Sequence, residues 1–370
     1  MRFRAHCNAS LRLRLHRRRT IPVNREVLIG ERELHRFAVN VFTALNVSDA
    51  HGRLWADVLV WADLRGVTSH GVMRIPAYAN HIRLGDFNPR PNIQIERLGG
   101  AAAFVDADLA PGPVAMMAAI EEAIALARAV RVGWCVARNI THPGAIGYFA
   151  ATAAKAGFAC IAMSASQPMM ACYGARGAAV STNPIAIAVP GGAHAPLLLD
   201  MSTAEVAMGK IMNARATGQP IPSNWGLDAD GQSTTDPAKV AVLQPMSGPK
   251  GSGLSLLIEC LTSVFAANPL IEPVLRTGRP LRGRPMNGLT VAIDPAAFGD
   301  AAVFRANVDA LIAAITALPR AHGVKRIFVP GERGDAVRVE RERRGIPLSE
   351  KIVSDLNKLA AELGVEPLTA

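Results

Sequence analysis

The sequence predicts an α/β protein of two or more lobes. A chain of 370 residues, 50% hydrophobic and 19% charged, can bury a large core and is too apolar for a disordered protein. From about residue 132, short apolar runs alternate with helical stretches, the pattern of strand–helix–strand units. Ahead of that, residues 34–64 repeat apolar side chains at helical spacing.

Leu34, Phe37, Ala38, Val41, Phe42 and Leu45 predict a first helix, Asn46-Val47-Ser48-Asp49 a break and recap, and Leu54, Val58, Trp61 and Leu64 a second helix. Residues 84–101, with Pro89, Pro91 and paired glycines, read as an extended connector, and 113–130 as a long buried helix. Residues 132–138 read as a buried strand, 145–156 as a helix and 158–163 as the next strand, which implies a parallel pair with a right-handed crossover. Ligands gather beyond the carboxyl ends of such strands, where His142 and Ser166 fall. A strand over 195–199 runs through Asp200 and Met201 into a helix reaching Met212, with Ser202 and Glu205 at capping-box spacing. Amides at that helix start suit a phosphate or ribose oxygen, and Asp200 could fix an imidazole.

Residues 1–25 stand apart. They carry eight arginines (Arg2, Arg4, Arg12, Arg14, Arg17, Arg18, Arg19 and Arg25) and no acid, and they hold most of the formal charge of +10. Without them 32 basic residues face 30 acidic ones, so the body is near neutral and no nucleic-acid partner is expected. The leader suits a transit-like segment, a basic nucleic-acid arm or translated sequence upstream of a misplaced start; the last is preferred, and the leader takes no part in the fold argument. No apolar run reaches the roughly 18 residues of a membrane span. Cys7, Cys135, Cys160, Cys172 and Cys260 are scattered without CxxC spacing, which suits a reducing cytoplasm and neither a disulfide framework nor a metal site.

Two motifs carry chemistry. Ser69-His70 follows the second helix, with Arg74 four residues on and Tyr78 four beyond. An imidazole can shuttle a proton near neutral pH and a guanidinium can clamp a carboxylate. A surface loop between helices has the same composition. Gly248-Pro249-Lys250-Gly251-Ser252-Gly253 precedes an apolar helix over 254–267 and could cradle a pyrophosphate, although Lys250 alone reads equally as a solvated loop lysine. Neither a Walker spacing nor a GxGxxG fingerprint is present.

The order of several blocks is more specific. The run Asp63-Leu64-Arg65-Gly66-Val67-Thr68-Ser69-His70-Gly71-Val72-Met73-Arg74 is followed by Asn139-Ile140-Thr141-His142-Pro143-Gly144, Ser181-Thr182-Asn183-Pro184, Leu199-Asp200-Met201, Leu227-Asp228-Ala229-Asp230-Gly231 with Thr234-Thr235-Asp236-Pro237, the Lys250 loop, and Pro330-Gly331-Glu332 with Gly345-Ile346-Pro347-Leu348. Over roughly residues 30–365 this resembles the malate/L-lactate dehydrogenase family, which also holds ureidoglycolate, sulfolactate and diketogulonate oxidoreductases and cyclic-imine reductases. The resemblance implies a non-Rossmann NAD(P)-binding domain with a mixed sheet, a helical substrate-side lobe built from the N- and C-terminal segments, and a homodimer. The boundaries expected are a basic leader (1–25), an N-terminal helical region (26–130), the α/β cofactor domain (131–320) and a C-terminal segment (321–370) returning to the first lobe.

The resemblance also implies roles. His142 matches the family's acid/base histidine, and Ser69, His70 and Asp200 match a relay of the imine-reducing members. Arg74 and Tyr78 match contacts to the substrate carboxylate. Ser166, Asp200, Met201, Ser202, Lys250, Gly331 and Glu332 match contacts to NAD or NADP. It implies proton transfer by His142 for an alcohol and by His70 for an imine. Thr141, Pro143, Ala178 after Gly177, Pro249 and Ser252 depart from the usual blocks, but none removes an acid, a base or the lysine. They bear on substrate and cofactor preference.

Overall fold

The structure, a computed structural model, describes residues 26–369. The arginine-rich leader lies outside the described residues. The chain opens with strand β1 (Glu26–Ile29) and helices α1 (Glu31–Ala44), α2 (Asp49–Leu64) and α3 (Ile75–Arg83). Leu34, Phe37, Ala38, Val41 and Phe42 form the buried face of α1, and Phe42 stacks on Trp55 of α2 at 4.1 Å between centroids. The Ser48 hydroxyl caps α2 by accepting from the His51 N–H, as a serine before an apolar helical run should.

Next come β2 (Gln94–Gly99), β3 (Ala102–Ala110), α4 (Gly112–Val130), β4 (Val132–Ile140), α5 (Gly147–Lys155) and β5 (Ala159–Ala165). The middle of the chain adds β6 (Met170–Ala171), β7 (Ala178–Val180), β8 (Ile185–Val189), β9 (Leu197–Met201), α6 (Met208–Thr217), β10 (Gly226–Leu227), β11 (Val242–Leu243), α7 (Pro249–Glu259), α8 (Glu272–Thr277) and β12 (Met286–Ile293). The last elements are α9 (Ala301–Thr316), α10 (Glu332–Arg344), β13 (Ile346–Ser349) and α11 (Glu350–Leu363).

Seven strands make one mixed sheet in the order β2-β3-β4-β12-β5-β8-β9, so the protein is a mixed α/β fold. Within it β3 and β4 pair in parallel and the other neighbours are antiparallel. Helices α4 and α5 cover one face with an alanine-rich core, and α7 packs on the other beside Met163, Leu289 and Val291. Helix α4 lies so close to β4 that a Cβ on Gly133 would come within 1.9 Å of the Ala123 carbonyl oxygen. A second, four-stranded sheet runs β10-β11-β6-β7. At the end of the chain β13 pairs antiparallel with β1, Ile346 facing Ile29, and α11 joins the core of α1 and α2.

Five expectations are corrected here. Strands β4 and β5 run the same way but are not neighbours, because β12, more than 120 residues later in the chain, enters antiparallel between them. Residues 84–101 are not all connector: β2 hydrogen-bonds to β3 as a fully exposed edge strand. With β3 and α4 it belongs to the sheet, although residues up to 130 were expected in the helical region. The capping box does not form. The Ser202 hydroxyl donates to the Ala204 carbonyl, Glu205 accepts from Asn224, and α6 begins only at Met208. Finally, Lys250 sits in the first turn of α7, not in a loop ahead of it, and that helix passes into a π-helical segment at Cys260–Val264.

Candidate active site

The site is built where the helical lobe meets the carboxyl ends of β4 and β5. After α2 the chain folds back through two short 3-10 turns, Thr68–His70 and Val72–Arg74. Asp63 directs this. Its carboxylate accepts from the Val72 N–H at 2.8 Å, and a Cβ on Gly71 would lie 2.0 Å from that carboxylate, so only glycine fits. Burial pushes the Asp63 carboxyl up to about 7, against the Val72 N–H and the Arg341 guanidinium. Arg341 also donates to the Asp63 carbonyl, tying α10 to the same bend.

That bend presents three groups. The Ser69 hydroxyl and His70 Nδ1 are hydrogen-bonded at 2.9 Å. The Arg74 Nε donates to the Ser69 carbonyl at 2.7 Å, and no carboxylate among the described residues pairs with the guanidinium. The His70 ring stacks on His142, with centroids 5.5 Å apart. Burial and then the charge of Arg74 press the His70 pKa down to about 4.

His142 follows β4 and is held at one ring nitrogen. Its Nδ1 faces the Gly144 N–H at 3.2 Å and the Tyr78 hydroxyl at 2.8 Å. An amide N–H can only donate, so Nδ1 is the acceptor and the neutral ring carries its proton on Nε2. Burial, then His70, Arg74 and His81, hold the His142 pKa well below its usual value. Tyr78, expected on the substrate carboxylate, instead gives its hydroxyl to His142, and burial pushes that hydroxyl well above its usual range.

Asp200 contacts neither histidine. It accepts from the Gly147 N–H at 2.9 Å, at the start of α5, where negative charge is favoured. A Cβ on Gly147 would sit 2.6 Å from the Asp200 carboxylate. Asp200 opens to the cleft, yet the protein crowded around it pushes its carboxyl up to about 6. The relay Ser69–His70–Asp200 is therefore broken at its second link. The start of α6 does reach the first: a Cβ on Gly209 would be 3.8 Å from that of Ser69.

The other expected residues line a second wall. The Ser166 N–H donates to the Asn183 side chain, whose amide donates to the Ser255 carbonyl, joining β5, the segment before β8, and α7. The Thr203 N–H donates to Thr182, and the Thr203 carbonyl accepts from Met246 just ahead of Lys250. Met201, Ser202 and Lys250 thus fall along one connected surface with Ser166. Lys250 is exposed, without an ion pair among the described residues. The Thr203 hydroxyl is buried without a partner among the described residues. Gly331 approaches β9, where the Pro330 carbonyl accepts from Leu198, and Arg65 donates to Gly331 and pairs with Asp335. Glu332 is engaged within its own turn by Arg326 and the Val329 N–H. Beside it opens a cavity of about 250 Å³ lined by His194, Leu197, Arg326, Pro330 and Glu332. Asp63 and Asn183 are the positioning residues that sequence reasoning passed over, although both stood inside the recognised blocks.

Two stacked histidines and an arginine without an acidic partner among the described residues thus gather in a polar cleft at the carboxyl edge of the sheet. The sequence matches the family described as malate/L-lactate dehydrogenase over residues 29–357, and the chain belongs to that family. It is 34% identical to ureidoglycolate dehydrogenase (NAD(+)) of Escherichia coli (strain K12), over 88% of this chain and 93% of that protein. It is 32% identical to (2R)-3-sulfolactate dehydrogenase (NADP(+)) of Chromohalobacter salexigens, over 90% of this chain and 98% of that protein. Among solved structures, malate dehydrogenase of Pyrococcus horikoshii OT3 superposes with a TM-score of 0.84 at 31% identity, covering 94% of this chain and 99% of that one.

Proposed function

We propose that this protein is an NAD(P)-dependent dehydrogenase acting on C2 of a small 2-hydroxy or 2-oxo acid. The observation that carries the reading is the stacked His70–His142 pair beside the unpaired Arg74 guanidinium, in a chain of this family. Arg74 would hold the substrate carboxylate and orient C2. The cofactor would lie along the wall of Ser166, Met201, Ser202, Asp200 and Lys250, reaching Gly331 and Glu332. The orphan Thr203 hydroxyl, the unpaired Lys250 ammonium and the cavity beside Glu332 fit a polar, phosphate-bearing group there. When bound, the nicotinamide supplies or accepts the hydride.

The proton roles follow from the ring nitrogens. His142, neutral with its proton on Nε2, donates to the substrate oxygen and stabilises charge that develops there. In the tautomer whose Nδ1–H donates to the Ser69 oxygen, His70 has a bare Nε2 that would take the hydroxyl proton. This moves the alcohol proton from His142, where the family pattern put it, to His70. Reduction of a cyclic imino acid is the second reading, favoured by the same Ser69–His70 bond. The helical lobe from both ends of the chain would be the substrate side. The exposed apolar face of α7 supports a homodimer, and the unpaired cysteines Cys135, Cys160, Cys172 and Cys260 a cytoplasmic location.

A panel of 2-oxo acids and cyclic imines with NADH and NADPH tests the function; turnover of neither class would overturn it. For His70→Gln we expect a loss of at least a hundredfold in kcat for alcohol oxidation, while His142→Gln, which keeps a donor, loses less. Since His70 is held near 4, kcat/KM should stay level from pH 7 to about 5 and fall below that. An acid limb centred near 6.5 would remove His70 from the role of base.

A further inference from the structure

The loop between α8 and β12 crosses the mouth of this cleft and carries an unbalanced positive charge. Met286, the first residue of β12, pairs with Ile140, and Asn287 pairs with Ala165. Two residues before Met286 stands Arg284; two residues beyond Ile140 stands His142, and two beyond Ala165 stands Gln167. The loop therefore enters the sheet between the strand that delivers His142 and the strand that delivers Ser166.

Two contacts fix its path. Gln167 accepts from the Leu281 N–H at 2.8 Å and donates to the Leu281 carbonyl at 3.4 Å, tying the loop to the Ser166 side. Gly283 reaches the opposite side, where a Cβ would lie 3.9 Å from Leu109, whose carbonyl accepts from Asn88. The neighbouring Phe87 packs against Tyr78, the residue that holds His142. At the crossing Gly283 and Arg284 have φ of 71° and 45°, the left-handed region that an arginine rarely adopts.

Arg279, Arg282 and Arg284 are all exposed on this loop, and none forms an ion pair among the described residues. The acids nearby are already engaged. Asp106 holds Arg138 and Asn139, Asp108 accepts from Asn88 and the Asn92 N–H, and Glu272 pairs with Arg276. Three unneutralised guanidiniums above a site already holding one arginine are unfavourable unless an anion joins them.

We propose that Arg279, Arg282 and Arg284 form a second anion site at the cleft mouth, taking the distal acidic group of a dianionic 2-hydroxy acid whose first carboxylate Arg74 holds. This rests on the reading of the cleft as a 2-hydroxy acid site. Guanidiniums suit the task because they bind carboxylate or sulfonate oxygens through paired N–H groups. The loop then discriminates between substrates that share the reacting carbon and differ in the far substituent.

The test is Arg282→Gln/Arg284→Gln, two exposed positions whose side chains make no hydrogen bond among the described residues. Binding of L-malate and of L-lactate is measured by calorimetry with cofactor present, alongside kcat/KM for oxaloacetate and pyruvate. We expect L-malate binding and oxaloacetate kcat/KM to fall about ten- to a hundredfold, with the monoacids changed less than threefold. The Arg282→Lys/Arg284→Lys protein should recover part of the loss. Equal losses for diacids and monoacids, or none, overturn the proposal. A selective rise in the KM for NADPH, with both acids unaffected, overturns it in favour of a cofactor phosphate. Discrimination in binding without turnover of any 2-oxo acid upholds the anion site while overturning the proposed function.

Discussion

Asp63 is 1% exposed, and its carboxyl does two things that oppose one another. It accepts the Val72 N–H and so shapes the Ser69–Arg74 bend, but its ionised form is costly where it lies. With a folded pKa near 7 against an ordinary value of 3.8, the native state binds more protons than the unfolded state between those pH values. Stability should therefore fall as pH rises from about 4 through 7 and level off above. Asp63→Asn keeps an acceptor for Val72 without the charge, so urea titrations across that range should show the slope flattened. An unchanged slope would mean that Asp63 is not the group responsible. At this scale much was legible. Ser69, His70 and Arg74 drew notice from type and spacing and His142 from its place at a strand end, while the roles given to them and to Lys250 came from the family resemblance. What could not be read is direction: that Tyr78 turns to His142 and Asp200 to Gly147 depends on how elements far apart in sequence approach.

Helices and strands with a strong periodic signal were readable one at a time. The stripe Leu34 to Phe42, the Ser48 cap and the α4–β4–α5–β5 succession all fall where local chemistry puts them. The pairing was not readable. A crossover unit predicts adjacent parallel strands only if no later strand intervenes, and β12 does, with Gly288 lying where a Cβ would meet the Met116 sulfur at 2.4 Å. Ser202 and Glu205 misled for different reasons: the Ser202 hydroxyl turns to the Ala204 carbonyl two residues on, while Glu205 is taken by the distant Asn224. The α4–β4 contact gives a prediction at this scale. Gly133→Ala drives a methyl into the Ala123 carbonyl, and should destabilise the protein by about 3 kcal/mol, read as a lowered urea midpoint with unchanged m-value. A variant as stable as the parent would show that α4 can shift away from the sheet.

Among the described residues, α7 and the π-helical segment after it leave a long apolar surface open. Residues 251–271 contain a single charged side chain, the buried Glu259, while Leu256, Leu257, Val264 and Phe265 are 48–62% exposed. Isolated apolar side chains on a surface are ordinary, but a helical face this long without an exposed charge marks a contact. A second copy is the occupant that fits a homodimer. In the proposed homodimer, Leu257→Glu/Phe265→Glu should yield monomers in sedimentation velocity, and a parent that already sediments as a monomer would rule the interface out.

The pairing of β1 with β13 sets an order of events. Ile29 finds its partner Ile346 only after more than three hundred intervening residues have been made. On the ribosome the central sheet can complete itself while the first helices still lack α11 and the Arg341 clasp on Asp63. The bend that presents His70 and Arg74 then settles after the sheet, and a nascent chain holds that part of the site unfinished until α10, β13 and α11 have been made.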